Sequence, residues 1–239
     1  MQFSYCMQKH IKTLTIYFNT EITYSEIPLF RGAVLQALDH NAPLLFHNHT
    51  GADTFRFSYP LIQYKRLHGK AALTCIEEGV DEVGQLMMNT SGRMNIGQRE
   101  VECSVEKVQP ARILVQTWNH SFCYKLHRWL PLNTKNYHLY QSMDDDNERM
   151  ALLEQILKGN LLSMLKGLDI RIETELTVKI TNLSEPYIIH NKGVAMMAFN
   201  ADFSSNLSIP NNLGIGKNAS IGYGVVHQIK NKNEYTNEN

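Results

Sequence analysis

Four of the chain's 14 glycines fall within eleven consecutive positions near its end, in L-G-I-G-K-N-A-S-I-G-Y-G-V-V over Leu213 to Val226. They are Gly214, Gly216, Gly222 and Gly224, with one cation, Lys217, and one hydroxyl, Ser220, between them. Glycine has no Cβ, so it reaches φ > 0 and lets a second backbone come close. Successive backbone N–H groups in such a loop can form a concavity that suits an anion, most often a phosphate. The strand-like V-V-H-Q-I follows at once, so the loop runs into a strand and does not open a helix. The plain alternative is a glycine-rich turn between two strands.

The strand that follows excludes a nucleotide-hydrolysing P-loop, whose G-x-x-x-x-G-K-[ST] links a strand to a helix. Counting from Gly216 and Lys217, its first glycine would fall on Asn211 and its Ser/Thr on Asn218. Net charge is zero and the isoelectric point is about 7.1, so bulk charge points to no polyanionic partner. Zero net charge hides blocks, however. Three segments carry cations and no acid: Thr54 to Ile76 (Arg56, Lys65, Arg66, Lys70), Lys107 to Met143 (Lys107, Arg112, Lys125, Arg128, Lys135) and Phe203 to Asn233 (Lys217, Lys230, Lys232). If they converge, they form one positive face. Cys6, Cys75, Cys103 and Cys123 are scattered and form no C-x-x-C, so neither a zinc site nor a disulfide framework is expected. No signal core and no membrane span is read, and the expected location is cytoplasmic.

Periodicity orders the rest. Ile11 to Thr20 alternates as a strand. Ser25 and Glu26 can cap a helix with Pro28 in its first turn, burying Leu29, Phe30, Val34, Leu35 and Leu38. Phe55 to Lys65 and Ala71 to Glu77 read as strands, Val80 to Met88 as a short helix, and Arg99 to Gln116 as one long strand bent at Pro110. This β-α-β-β-α-β order is ferredoxin-like, the topology also of the RNA-recognition motif. The second half partly repeats it. His120 to Leu130 is a strand, Asn133 to Met143 a polar loop, and Asn147 to Gly167 the best helix of the chain. Arg171 to Thr181, Tyr187 to His190, Val194 to Asp202 and Tyr223 to Ile229 read as further strands. The expected fold is α+β: two tandem ferredoxin-like domains, 1–117 and 118–230, the second degenerate and carrying the Gly-rich loop, then a disordered tail, 231–239.

With that order, the motif G-x-G-K-x-x-S-x-G-x-G ahead of the last strand resembles the RAMP superfamily of CRISPR-associated proteins. Within it the chain is similar to the repeat-processing endoribonuclease, Cas family number six. Three more stretches carry the likeness: F-R-G-A-V-L-Q-A-L in the first helix, L-L-F-H-N-H-T-G-A-D-T-F-R-F-S-Y-P-L-I-Q-Y-K after it, and L-K-G-N-L-L-S-M-L-K-G-L in the long helix. The resemblance implies binding of CRISPR repeat RNA and a cut within the repeat that needs neither metal nor other cofactor. Other CRISPR effector subunits and a second copy of the chain are further possible partners.

Such a cut uses the ribose 2′-OH as nucleophile and leaves a 2′,3′-cyclic phosphate and a 5′-OH. It requires one proton removed, one supplied, and charge on the phosphorane stabilised. Histidine suits the proton work. The family places one in or just after the first helix, where His40, His47 and His49 stand here. His47 and His49 of H-N-H-T-G are favoured, since residues two apart in an extended loop point the same way, and the choice among the three stays open. These adjacent letters are not the HNH nuclease motif, and His47 and His49 lack the further ligands a zinc site needs. Lys65 is the candidate for phosphate stabilisation. Arg31, Arg56, Gly214, Gly216, Lys217, Ser220, Gly222, Tyr223 and Gly224 are the candidates for RNA contact. Trp118 and Trp129 could stack bases, but core packing suits both better. Two other readings remain: a non-catalytic RNA-binding subunit of the same superfamily, and an unrelated ferredoxin-like protein that binds a small ligand.

Overall fold

The computed structural model of the chain describes residues 9–38, 46, 59–89, 92–191 and 193–229. Strand β1 (Lys9–Glu21) turns Ile16 and Phe18 into a core and Thr13, Thr15 and Tyr17 to its other face. A single 3-10 turn, Tyr24–Glu26, leads into helix α1 (Ile27–Ala37), with proline in the first turn. Glu26 is the N-cap residue of α1, as expected, and Thr23 caps the preceding 3-10 turn, its backbone N–H donating to Glu26 Oε2 at 2.7 Å. Helix α1 buries Ile27, Phe30, Ala33 and Val34. Leu29, expected inside, is 46% exposed and leans on Gly97 of a later hairpin turn.

Strands β2 (Ile62–Leu67) and β3 (Lys70–Ile76) pair through His68 and Gly69, both at positive φ. Helix α2 (Glu78–Asn89) follows. The stretch expected as one strand bent at Pro110 divides elsewhere. Strands β4 (Arg93–Ile96) and β5 (Arg99–Glu102) form a separate hairpin, and β6 (Val105–Val115) starts after a break at Cys103 and Ser104. Pro110 stands inside β6 opposite Leu14. It is tolerated there because β6 is an edge strand, where a missing N–H costs little. The antiparallel sheet runs β2-β3-β1-β6, the ferredoxin-like order.

The second half repeats this plan. Its elements are β7 (Thr117–Trp129), α3 (Thr134–Ser142), α4 (Asp146–Gly167), β8 (Val178–Leu183), β9 (Tyr187–Asn191), β10 (Val194–Leu207) and β11 (Val225–Ile229). The sheet order is β11-β7-β10-β8, with β9 added on β10. Helix α3 occupies the expected polar loop. It forms because Asn133 caps it, accepting from the Asn136 N–H at 2.8 Å. The strand expected over Arg171 to Thr181 shrinks to β8, whereas β10 runs on to Leu207. Between β10 and β11, where a ferredoxin-like domain places its second helix, lies the glycine segment. Among the described residues, no helix is long and apolar enough to cross a membrane.

There are two main cores, one inside the first half and one centred on the second that also takes in Ile11, Ile76 and Val115 of the first. Leu153, Leu157, Leu161 and Met164 of α4 recur at helical spacing and pack with Tyr124, Leu126, Phe203 and Val226. In the first half Phe18, Phe30, Val34, Tyr64 and Leu73 pack together. Each such side chain contributes about 1.5–3 kcal/mol by leaving water. The other face of the first sheet is polar yet buried: Gln63, Lys65 and Thr74 have no exposure at all, and Thr13 and Thr15 have little. The glycine segment covers part of that face.

Candidate functional site

The glycine segment is held to strand β2 by its backbone. The Tyr64 N–H donates to Ser220 O at 2.8 Å, and Tyr64 and Ile221 form a parallel bridge. The Gly214 N–H donates to Gln63 Oε1, and Tyr59 Oη to Gly214 O, each at 2.8 Å. Asn212 Nδ2 donates to Thr15 Oγ1 at 3.3 Å. Within the segment, Ile215 N–H donates to Gly224 O, and Gly224 N–H to Arg128 O. A β-carbon on Gly224, at φ +60°, would collide with the Ile215 carbonyl oxygen. Gly214 therefore closes the seam between the halves, Gly224 closes the segment onto itself and β7, and the N–H groups of both are already spent inside the protein. That corrects the expectation that all four glycines face a phosphate. Gly216 rests over the Trp129–Asn160 hydrogen bond (Nε1 to Oδ1, 3.0 Å), so Trp129 serves the core, and Trp118 donates to Ser208.

What the segment offers outward is its middle. Lys217 is exposed at the tip. Asn218, Ser220, Ile221 and Tyr223 line a cleft of about 690 Å³ against helix α1, which contributes Pro28, Arg31, Gly32 and Leu35. His190 and Asn191 of β9 form its far wall, and Tyr24 its end. Arg31 lies over the Tyr64 ring, 5.9 Å from its centroid. Tyr64 Oη donates to the carbonyl of buried Phe46 at 3.2 Å. In sequence, Phe46 directly precedes His47. His40, His47, His49 and Arg56 themselves lie outside the described residues.

Lys65 departs from its expected place. It is wholly buried under the segment, and its Nζ donates to Ala219 O at 3.3 Å. Burial pushes its ammonium down to about 7 from the ordinary lysine value. From there it props the loop, and it is not among the residues that line the cleft.

A cationic clamp, missed in the sequence, stands at the end of the cleft. Arg128 lies over two rings, 4.1 Å from the Tyr24 centroid and 5.0 Å from that of Tyr223, and Arg66 covers Tyr24 as well at 4.9 Å. Such contacts stabilise by about 0.5–2 kcal/mol each. Arg128 gets there through a β-bulge: the β7–β10 register slips between Phe199 and Ala201, and Arg128 adopts φ +54°. A bulge bends the strand and re-aims a side chain. Here it is braced on both sides, since the Arg128 N–H donates to Asn200 Oδ1 at 2.9 Å and its carbonyl accepts from Gly224. The available signal was the acid-free character of Thr54 to Ile76 and Lys107 to Met143, which do converge here through Arg66 and Arg128. No period-2 reading places a bulge.

Two ferredoxin-like halves, sealed by a C-terminal glycine segment and opening a cationic, aromatic cleft beside the first helix, define a protein of the RAMP type. The family models for the Cas6b N-terminal domain and the Cas6b C-terminal domain match residues 9–113 and 116–229, and the chain belongs to the Cas6b family. It is similar to a crystal structure of Cas6b at 28% identity and TM-score 0.83, over 92% of this chain and all of that one. It is also similar to a crystal structure of the CRISPR RNA processing endoribonuclease Cas6b, at 25% identity and TM-score 0.72 over the same shares. An uncharacterized protein of Methanocaldococcus jannaschii is 40% identical over 102 residues, 43% of this chain and 68% of that one.

Proposed function

We propose that this protein is a metal-independent endoribonuclease that cuts CRISPR precursor RNA within its repeats. The observation that carries the reading is the family match across both halves, together with a cleft whose walls are α1 and the outward middle of the glycine segment. RNA phosphates meet Arg31, Lys217, Ser220 and Arg128. Bases meet Tyr24 and Tyr223, since sequence-specific RNA recognition stacks unpaired bases on aromatic and guanidinium planes.

In the reaction, the ribose 2′-OH attacks the adjacent phosphorus in line as a base removes its proton. The P–O5′ bond breaks and an acid protonates the leaving 5′-oxygen. The products are a 2′,3′-cyclic phosphate and a 5′-hydroxyl. His47 and His49 are assigned the two proton transfers. Arg31 and the N–H groups around Asn218 and Ser220 are assigned to the phosphorane charge. The setting is the cytoplasm. Other subunits of a CRISPR effector complex and a second copy of the chain are candidate partners.

The test is end-labelled cognate repeat RNA incubated with the protein in EDTA. Cleavage at one position, with cyclic-phosphate and 5′-hydroxyl ends, is the expected result. Tight repeat binding without cleavage would instead make the chain a non-catalytic RNA-binding subunit.

A further inference from the structure

Behind the clamp lies a second cavity, of about 380 Å³, between the β2–β3 turn and strands β7 and β11. Strand alternation builds it. Tyr124 and Leu126 of β7 turn into the core of the second half, so Lys125 and His127 turn to the opposite face. His227 of β11 pairs directly with Lys125, and Val225 with His127. The His127 and His227 rings lie 5.5 Å apart. From the first half the turn brings Arg66 and His68, with Arg66 fixed by donating its Nε–H to Ile22 O at 2.6 Å. Leu67 and Val225, clustered with Ala72 and Tyr17, make an apolar floor.

The lining is one-signed. Arg66, Lys125 and Arg128 bring basic side chains, joined by His68, His127 and His227, with no carboxylate among the lining residues. Lys65 stands behind His227, and Asp202 pairs with Lys125 from β10. Arg128 Nε is buried with no hydrogen-bond partner among the described residues. Tyr24 borders both cavities, and of three consecutive residues Ile221 and Tyr223 line the first and Gly222 the second.

We propose that this cavity is a second anion site, which takes a phosphodiester of an RNA strand that crosses Tyr24 from the first cleft. The inference rests on the RNA-binding reading above. Gathering cations in one partly enclosed place is unfavourable until an anion offsets them. The free protein shows that cost: burial, then the neighbouring His127, Lys65 and His68, push the His227 imidazole down to about 4, and burial followed by Lys125 lowers His127, against the opposite pull of Asp202. Both imidazoles are therefore neutral in the free protein at pH 7. A phosphodiester between them favours the protonated forms, so filling the site takes up protons and affinity rises as pH falls.

The experiment measures equilibrium binding of labelled repeat RNA, substituted with 2′-deoxyribose at the mapped cut, against salt and against pH from 8 to 6. Each phosphate contact on a single strand contributes about 0.7 to the slope of log K against log salt. Lys125→Ala, at an exposed position, is expected to lower that slope by about 0.7 and affinity by about threefold to tenfold. His127→Gln with His227→Gln is expected to flatten the pH profile. Slope and pH profile unchanged in both variants overturn the proposal. If the histidine NMR signals respond to inorganic phosphate while Lys125→Ala leaves the RNA slope unchanged, the site serves a free anion and the RNA occupant is overturned. Failure of the endoribonuclease reading looks different: the wild-type protein then leaves the unmodified repeat uncut, whatever these slopes show.

Discussion

Lys65 Nζ lies 3.3 Å from the carbonyl oxygen of Ala219, under a loop that strand β2 also holds through Tyr64 and Ser220. One short strand of the first half thus fixes the shape of the segment that forms the cleft in the second. A cation in the seam has a cost, because its charged form is disfavoured where no water reaches it.

That cost sets a pH dependence. Lys65 titrates near 7 in the folded protein and near 10.5 when unfolded, so only the unfolded chain binds this proton between those values. Folding stability therefore falls as pH drops from about 10 toward 7 and this contribution is level below. Lys65→Met removes the titration. Denaturant unfolding at pH 7 and pH 9.5 is expected to show a wild-type loss of a few kcal/mol toward pH 7 that the variant lacks. Parallel profiles for the two proteins would show that Lys65 stays charged in the fold.

The glycines separate by position. Gly224→Ala drives a β-carbon into the Ile215 carbonyl at a backbone angle that L-residues rarely adopt, and backbone cannot yield cheaply. A loss on the order of 3 kcal/mol is expected. Gly84→Ala meets open space in α2 and is expected to stabilise by about 0.5–1 kcal/mol. Thermal unfolding of both variants checks the pair.

The clamp makes a prediction on RNA affinity. Arg128→Ala removes the guanidinium between Tyr24 and Tyr223 and is expected to weaken repeat RNA binding by about tenfold. Arg128→Lys keeps the charge and loses the plane, and recovers only part of that, since a stacked arginine and a lysine are not equivalent. Full recovery by lysine in a filter-binding titration would reduce the clamp to a point charge.

The assignment of proton transfer to His47 and His49 predicts that catalysis and binding can be separated. His47→Ala combined with His49→Ala is expected to slow single-turnover cleavage in EDTA by at least about a hundredfold, with RNA affinity within about twofold of wild type. Cleavage at the wild-type rate would move the proton chemistry away from these two residues, with His190 on the cleft wall the next to test.

Helices and strands with a clean period were legible in the chain itself. The α4 stripe from Leu153 to Leu165, the alternation of β1 and the repeated β-α-β-β order depend on neighbours within a few residues, and each half buried its face accordingly. Helix α3 was missed because its evidence is one capping side chain on a polar stretch, and the break before β6 because Pro110 is a louder signal than Cys103 and Ser104.

By itself the sequence determined that there are two related α+β halves, that a glycine segment replaces the last helix, and that basic residues come in acid-free blocks. Tertiary structure alone decided what these features do. Gly214 became seam because Gln63 of β2 consumes its N–H, Gly224 closed the segment against Ile215 and β7, and Asn218, Ser220 and Tyr223 became cleft lining. Lys65 became a buried prop, not a surface cation, because the second half covers its face of the sheet. Arg66 and Arg128, 62 positions apart in the chain, meet on one tyrosine because a bulge turns Arg128 toward the other half. Local periodicity fixes which face of a strand a residue takes, and only the docking of the two halves fixes what that face meets.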